Sequence, residues 1–283
     1  MPRRADGVVG PTRGGTPPAP GASRVRRPAV RGGGCGPAFR PDALRRTTLT
    51  VAARSARLEQ AAAVVIAAAD GIPVLVLKGL ALQKLAYSAG TVRSMDDVDL
   101  LVSLTDSPRL GRLLRSRGYR NDLRGEEDFF APDLSHSIDL HTDLVNTTRL
   151  PARGALWAEP FQDIWQRRQS FALGGATAWT LGPPDTIQHL AVHAVHHHGM
   201  QGALWMADLL AALQTWPDAV HAVRRAPAGV RRSVWYCLEA LATRGQDPIY
   251  AKGFTDAGQP PQHTRLAYWA NLARLAASRC LPW

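Results

Sequence analysis

Three cysteines in 283 residues, Cys35, Cys237 and Cys280, are too few and too far apart for a disulfide framework, a C-x-x-C zinc half-site or a redox pair. Their scarcity fits a reducing cytoplasm, with buried or idle thiols. Long apolar runs are missing too. The longest, residues 61–82, is interrupted by Asp70, Gly71, Pro73 and Lys78, so it reads as a helix followed by a strand and excludes a membrane span. No apolar segment follows Arg3 and Arg4, which argues against a secretory or twin-arginine signal. H-E-x-x-H and internal repeats are absent.

Acidic residues are scarce at the start of the chain. Residues 1–46 carry ten arginines against two acids, so of the net charge of +11 only +3 remains on the rest, with 24 bases against 21 acids. The basic character therefore belongs to a tail, and a nucleic-acid partner is expected only through it. Residues 1–40 are Arg, Pro and Gly with almost no large apolar residue, too little to offset the entropy of ordering. They read as a disordered basic tail, either a solvated extension or a polyanion-binding arm.

Beyond residue 40 the composition becomes that of a folded core. Leu44, Leu49, Val51 and an Ala-rich run predict one long helix, or two stacked pieces, closing at Asp70-Gly71. Val74 to Leu77 reads as a buried strand, residues 80–87 as a short helix and residues 95–102 as a second strand. A helix over residues 107–118 precedes two extended stretches, 128–131 and 136–144, joined by a Pro132-Asp133 turn. After Pro151 the pattern is mostly helical, with helices over 157–168, 184–197, 203–213, 230–243 and 264–278 and a short hairpin-like stretch at 170–181. The expected fold class is α+β: a small mixed-sheet domain over 41–150 followed by an all-α helical domain over 151–283.

Asp97 and Asp99 carry the chemistry. Alternate residues of a strand share a face, so these carboxylates point the same way roughly 7 Å apart, while Val98, Leu100 and Val102 point into the packing. Such a pair suits divalent cations that clamp phosphate oxygens. A merely solvated acidic strand is the alternative. Ser137-Ile138-Asp139-Leu140-His141 repeats the alternation and offers a third carboxylate on a neighbouring strand, with His141 on the same face. Lys78-Gly79 sets a strand end, a glycine and a helix N-terminus together, a favourable place for phosphate. Arg93 adds a planar donor four residues before Asp97. His189, His193, His196 and His197 form one stripe of a helix. It reads as a dedicated zinc site, a ridge facing the cleft with Asp208, or interhelical hydrogen bonding. Glu126-Glu127-Asp128 reads as a solvated turn, and the tryptophans of the second half as core.

This order of parts resembles the largely uncharacterised nucleotidyltransferases of the polymerase β-like superfamily. It runs strand-Lys78-Gly79-helix, Arg93-x-x-x-Asp97-Val98-Asp99-Leu100-Leu101-Val102, a helix ending Gly118-Tyr119, then Asp139-Leu140-His141. The likeness spans residues 74–144 and continues weakly to about Leu213. It implies Asp97 and Asp99 as paired metal ligands and Asp139 as third carboxylate, acting as general base or simply as a shared metal ligand. Lys78-Gly79 stands where the superfamily usually has a glycine followed by Gly or Ser.

The function so implied is transfer of a nucleoside monophosphate from a nucleoside triphosphate, ATP by default, to a hydroxyl acceptor, with Mg²⁺ or Mn²⁺. A small-molecule acceptor ranks first and a protein second. Lys78, Gly79 and Arg93 would bind the nucleotide, and His141, His193, His197 and Asp208 the substrate. The rival reading is a catalytically degenerate module of the same fold that binds a nucleotide or a partner.

Overall fold

The computed structural model describes residues 41–121, 127–148 and 151–242. The basic tail, Glu126, the helix expected over 264–278, Cys35 and Cys280 lie outside the described residues.

Apolar residues at 58, 62, 65 and 69 repeat on one face, and they draw α1 (Pro41–Ala68) onto the core as a single helix. It stops where Ala69 N–H bonds back to Val65 O and Gly71 takes a left-handed φ of +69°, a conformation a side chain resists. β1 (Val74–Val76) leads directly into α2 (Lys78–Leu85). β2 (Asp97–Val102) is followed by α3 (Ser107–Ser116), β3 (Arg120–Asn121), β4 (Asp128–Phe130) and β5 (Ser137–His141). The five strands form one mixed sheet in the order β1-β2-β5-β4-β3, in which the β2–β5 pair is parallel and the other pairs are antiparallel.

The pleat divides this sheet chemically. Val98, Leu100 and Val102 of β2, Ile138 and Leu140 of β5 and Phe129 of β4 join Leu58 and Ala62 of α1 and Leu110 and Leu114 of α3 in one core. On the opposite face, Leu75 and Leu101 pack with Trp157, Ile164, Leu181, Val192 and Val230 in a second. Asp97, Asp99, Asp139 and His141 occupy this second face, which is the one covered by the later segment.

That segment holds α4 (Phe161–Gln166), β6 (Gln169–Leu173), β7 (Ala176–Thr180), α5 (Pro183–His196), α6 (Leu204–Thr215) and α7 (Ala228–Ala242). Two 3-10 helices, Pro151–Ala155 and Pro217–Arg225, complete it. Pro160 in an extended conformation delays the start of α4 relative to the expected residue 157.

The segment is not purely helical. A two-stranded hairpin is marginal alone, and β6–β7 buries Phe171, Leu173 and Ala178 in the first core beside α1. α5, α6 and α7 make a third core, which also takes in Leu82 of α2. Trp157 and Trp205 are buried as expected, and Trp165 and Trp179, partly buried against the second core, also flank the Arg168 guanidinium at 4.2 and 4.3 Å. Cys237 is a buried free thiol. No helix among the described residues is long and apolar enough to cross a membrane.

Candidate functional site

The parallel pairing of β2 with β5 sets Asp99 opposite Asp139 and Leu101 opposite His141. Asp97 lies two residues before Asp99 on the same face. β1 ends beside this row, and Leu77 N–H donates to Asp99 O at 2.9 Å, which brings the start of α2 to the carboxylates. Lys78, the first residue of α2, has a left-handed φ of +48°, unusual for a side chain with a Cβ. Its Nζ lies 2.6 Å from Asp99 Oδ1, and His141 Nε2 reaches the same oxygen at 2.8 Å.

Asp99 is only 6% exposed. Burial pushes its carboxyl up, but Lys78 and His141 together hold it well below the usual carboxylate range. Its neighbours are less well served. Burial and the charge of Asp99 push Asp97 up, and burial with the charges of Asp97, Asp99 and Asp128 pushes Asp139 up to about 7. Three carboxylates thus share one lysine, a concentration of negative charge suited to a cation. Among the described residues, Asp99, Asp139 and His141 form a group whose ligand atoms all lie within 4.8 Å of one another. Asp97 stands outside this tight set and acts on it through its charge. Asp128, the first residue of the extended stretch expected over 128–131, opens β4 directly opposite Asp139.

Arg93 and Asp208, expected to contact nucleotide and substrate separately, are each other's partners. Arg93 Nε donates to Asp208 Oδ1 at 2.7 Å and Nη2 to Oδ2 at 2.6 Å, while Nη1 donates to Ser94 O. Tyr87 Oη, which the sequence pattern does not single out, adds a third bond to Asp208 at 2.7 Å, and burial with the Asp208 carboxylate pushes this phenol far up. Asp208 is 4% exposed, so the bidentate pair is a buried clamp between α6 and the segment leading into β2.

Gly79 is required beneath it, because a Cβ there would run into the Arg93 guanidinium and Met95. Gly79→Ala is expected to cost about 1–3 kcal/mol, read as a lower urea midpoint. An unchanged midpoint would remove Arg93 from that position.

The histidine stripe divides between two directions. His196 bonds Ser233 Oγ of α7 at 3.1 Å, the interhelical role. His189, His193 and His197 face the Lys78 side of the molecule: burial, followed for His189 and His193 by the Lys78 charge and for His197 by Arg153, lowers all three. His189 falls to about 3. The rings of His193 and His197 lie 4.5 Å apart, and His198, just past α5, approaches His193 at 2.9 Å between Nε2 atoms. Arg153 reaches His197 Nε2 at 3.0 Å and His196 O at 2.9 Å. Among the described residues these histidines do not form a closed metal-donor group, and no hydrogen bond joins Asp208 to them. Neither His198 nor Arg153 carried a signal in the sequence; a turn and a 3-10 helix bring them to the stripe.

A family model described as an uncharacterised nucleotidyltransferase matches residues 36–245. No curated protein matches the chain. One solved structure that does match is the crystal structure of an antigenic nucleotidyltransferase-like protein from Paracoccidioides brasiliensis. It is 12% identical and aligns over 70% of this chain and 91% of its own with a TM-score of 0.45, too loose a likeness to support any argument.

Proposed function

Since the chain belongs to the uncharacterised nucleotidyltransferase family, we propose that it transfers a nucleoside monophosphate from a nucleoside triphosphate, ATP first, to a hydroxyl acceptor, with Mg²⁺ or Mn²⁺. The observation that supports this reading most is the register of Asp99 against Asp139 on adjacent parallel strands, with Asp97 on the same face. Carboxylate oxygens in excess of the cations available to balance them suit a hard divalent ion.

Asp97, Asp99 and Asp139 would hold the ions, with His141 beside them. When bound, the ions neutralise the triphosphate and acidify the acceptor hydroxyl. The acceptor oxygen forms a bond to the α-phosphorus, the bond from that phosphorus to the α–β bridging oxygen breaks, and pyrophosphate leaves. Asp139, whose carboxyl burial and the neighbouring carboxylates push up to about 7 in the absence of metal, would take the proton of the acceptor hydroxyl or serve simply as a shared ligand of the ions. Lys78 and the first backbone N–H groups of α2 receive phosphate oxygens, and the Arg93 guanidinium packs against Gly79 beside them. Asp208 holds Arg93 over Gly79 as a fixed charge at the edge of that site. His193 and His197, kept uncharged by burial and neighbouring cations, form an acceptor wall with His141. Uncharged imidazoles suit a hydroxyl-bearing small molecule first, and a protein side chain second.

The test is transfer of label from α-³²P nucleotides into a host-cell lysate separated into small-molecule, protein and RNA fractions. The expected result is incorporation of α label and none of γ label, lost with Asp97→Asn. Incorporation that survives Asp97→Asn, or none with any of the four nucleotides, would favour the degenerate binding module instead.

A further inference from the structure

The ammonium of Lys78 sits where a metal ion would have to act. It lies 2.6 Å from Asp99 Oδ1, with its side chain only 13% exposed, and Asp99 belongs to the one tight group of metal donors among the described residues. The His141 bond to the same oxygen adds a constraint. To donate to Asp99, Nε2 must carry a proton; to ligate a cation it must offer its lone pair. A cation ligated by His141 Nε2 in the Asp99–Asp139–His141 seat therefore excludes the His141 bond, and any cation there sets a second positive charge against Lys78. The left-handed backbone of Lys78, at the very start of α2, aims the side chain across the carboxylates, and the same position puts it beside the α2 N-terminus, where phosphate would lie.

We propose that Lys78 is an internal counter-cation, which holds the carboxylate cluster together in the metal-free protein and leaves Asp99 when a divalent cation enters. The nucleoside triphosphate then gives the released ammonium a new anionic partner. Divalent cation and triphosphate consequently bind as a coupled pair, each raising affinity for the other by the same factor, and the ion alone binds weakly. This inference rests on the metal-dependent function proposed for the site and adds the order that Lys78 imposes on it.

Two measurements test it without reference to turnover. Mn²⁺ binding without nucleotide is followed through the free-ion paramagnetic resonance signal for wild type, Lys78→Met, Lys78→Arg and Asp99→Asn. Lys78→Met is expected to bind about tenfold more tightly than wild type, the scale of one charge-assisted hydrogen bond no longer in competition. Lys78→Arg should remain weak, and Asp99→Asn should bind least. Should Lys78→Met fail to fold, the wild-type chain gives the same answer by lysine methylation read by mass spectrometry. Lys78 is expected to react severalfold faster with Mg²⁺ than without, and to be protected again when triphosphate is added, while Lys84, paired with Glu59, stays constant as the internal reference. Equal or weaker Mn²⁺ binding by Lys78→Met, or methylation of Lys78 indifferent to Mg²⁺, overturns the counter-cation role and leaves the metal site standing. No Mn²⁺ bound by wild type or Lys78→Met overturns both.

Discussion

Asp139→Asn is expected to lower nucleotidyl transfer by about a thousandfold, the equivalent of several kcal/mol of transition-state stabilisation, while making the metal-free protein more stable. The two effects have one origin. Burial and the charges of Asp97, Asp99 and Asp128 push the Asp139 carboxyl up to about 7 in the folded chain, from 3.8 for a free carboxyl. Between those values the native state retains a proton that the unfolded state has released, so stability falls as pH rises from about 4 to about 7 and stays low above it. At a little over 1 kcal/mol per pKa unit, the ionised carboxylate costs the empty site on the order of a few kcal/mol. An amide of the same shape removes that cost and with it the proposed base and metal ligand. Thermal melts of wild type and Asp139→Asn between pH 4 and 8, without metal, should diverge progressively as pH rises, with the variant above. A variant less stable than wild type at pH 8, or parallel curves, would mean that Asp139 is not under the strain described.

The second large effect concerns the clamp. Asp208→Ala leaves the Arg93 guanidinium, 11% exposed, without its carboxylate and Tyr87 without its acceptor. Breaking a buried pair from one side costs about 3–5 kcal/mol, mostly the penalty of the stranded charge. Arg93→Ala should cost a similar amount by stranding Asp208. Removing both should cost clearly less than the sum, because no buried charge then lacks its partner. Urea denaturation of the two single variants and the double variant tests this. Additive losses would show that the residues act independently, and α6 would lose its proposed hold on the segment before β2.

The carboxylate-bearing face was legible because strand alternation is a local rule. Val98, Leu100, Ile138 and Leu140 reveal which face packs, and the polar residues between them must then share the other. Lys78-Gly79 was legible for the same reason, as a strand end meeting a helix start. The parallel β2–β5 pairing brings Asp99 to Asp139 and depends on a crossover through α3, β3 and β4, which periodicity alone does not specify. Arg93–Asp208 spans 115 residues and Tyr87–Asp208 spans 121, so no spacing rule could pair them. The sequence marked Arg93 and Asp208 as polar groups near the site without showing that each satisfies the other. The hairpin β6–β7 was visible as alternation, but its docking on α1 was not, since a small apolar face names no partner. The histidine stripe was visible as a helical face, and only packing separates His196, turned to α7, from His193 and His197.

In the proposed function the β2–β5 carboxylates hold a divalent cation together with a nucleoside triphosphate at the start of α2. Its most direct test is anomalous diffraction from crystals of the full chain grown with Mn²⁺ and a non-hydrolysable α,β-methylene triphosphate. Manganese is expected in coordination contact with Asp99 and Asp139, with Asp97 turned to the ion or its water and the triphosphate against Lys78 and the α2 N-terminus. Manganese bound elsewhere, or a triphosphate seated away from α2 with Lys78 still on Asp99, would contradict it.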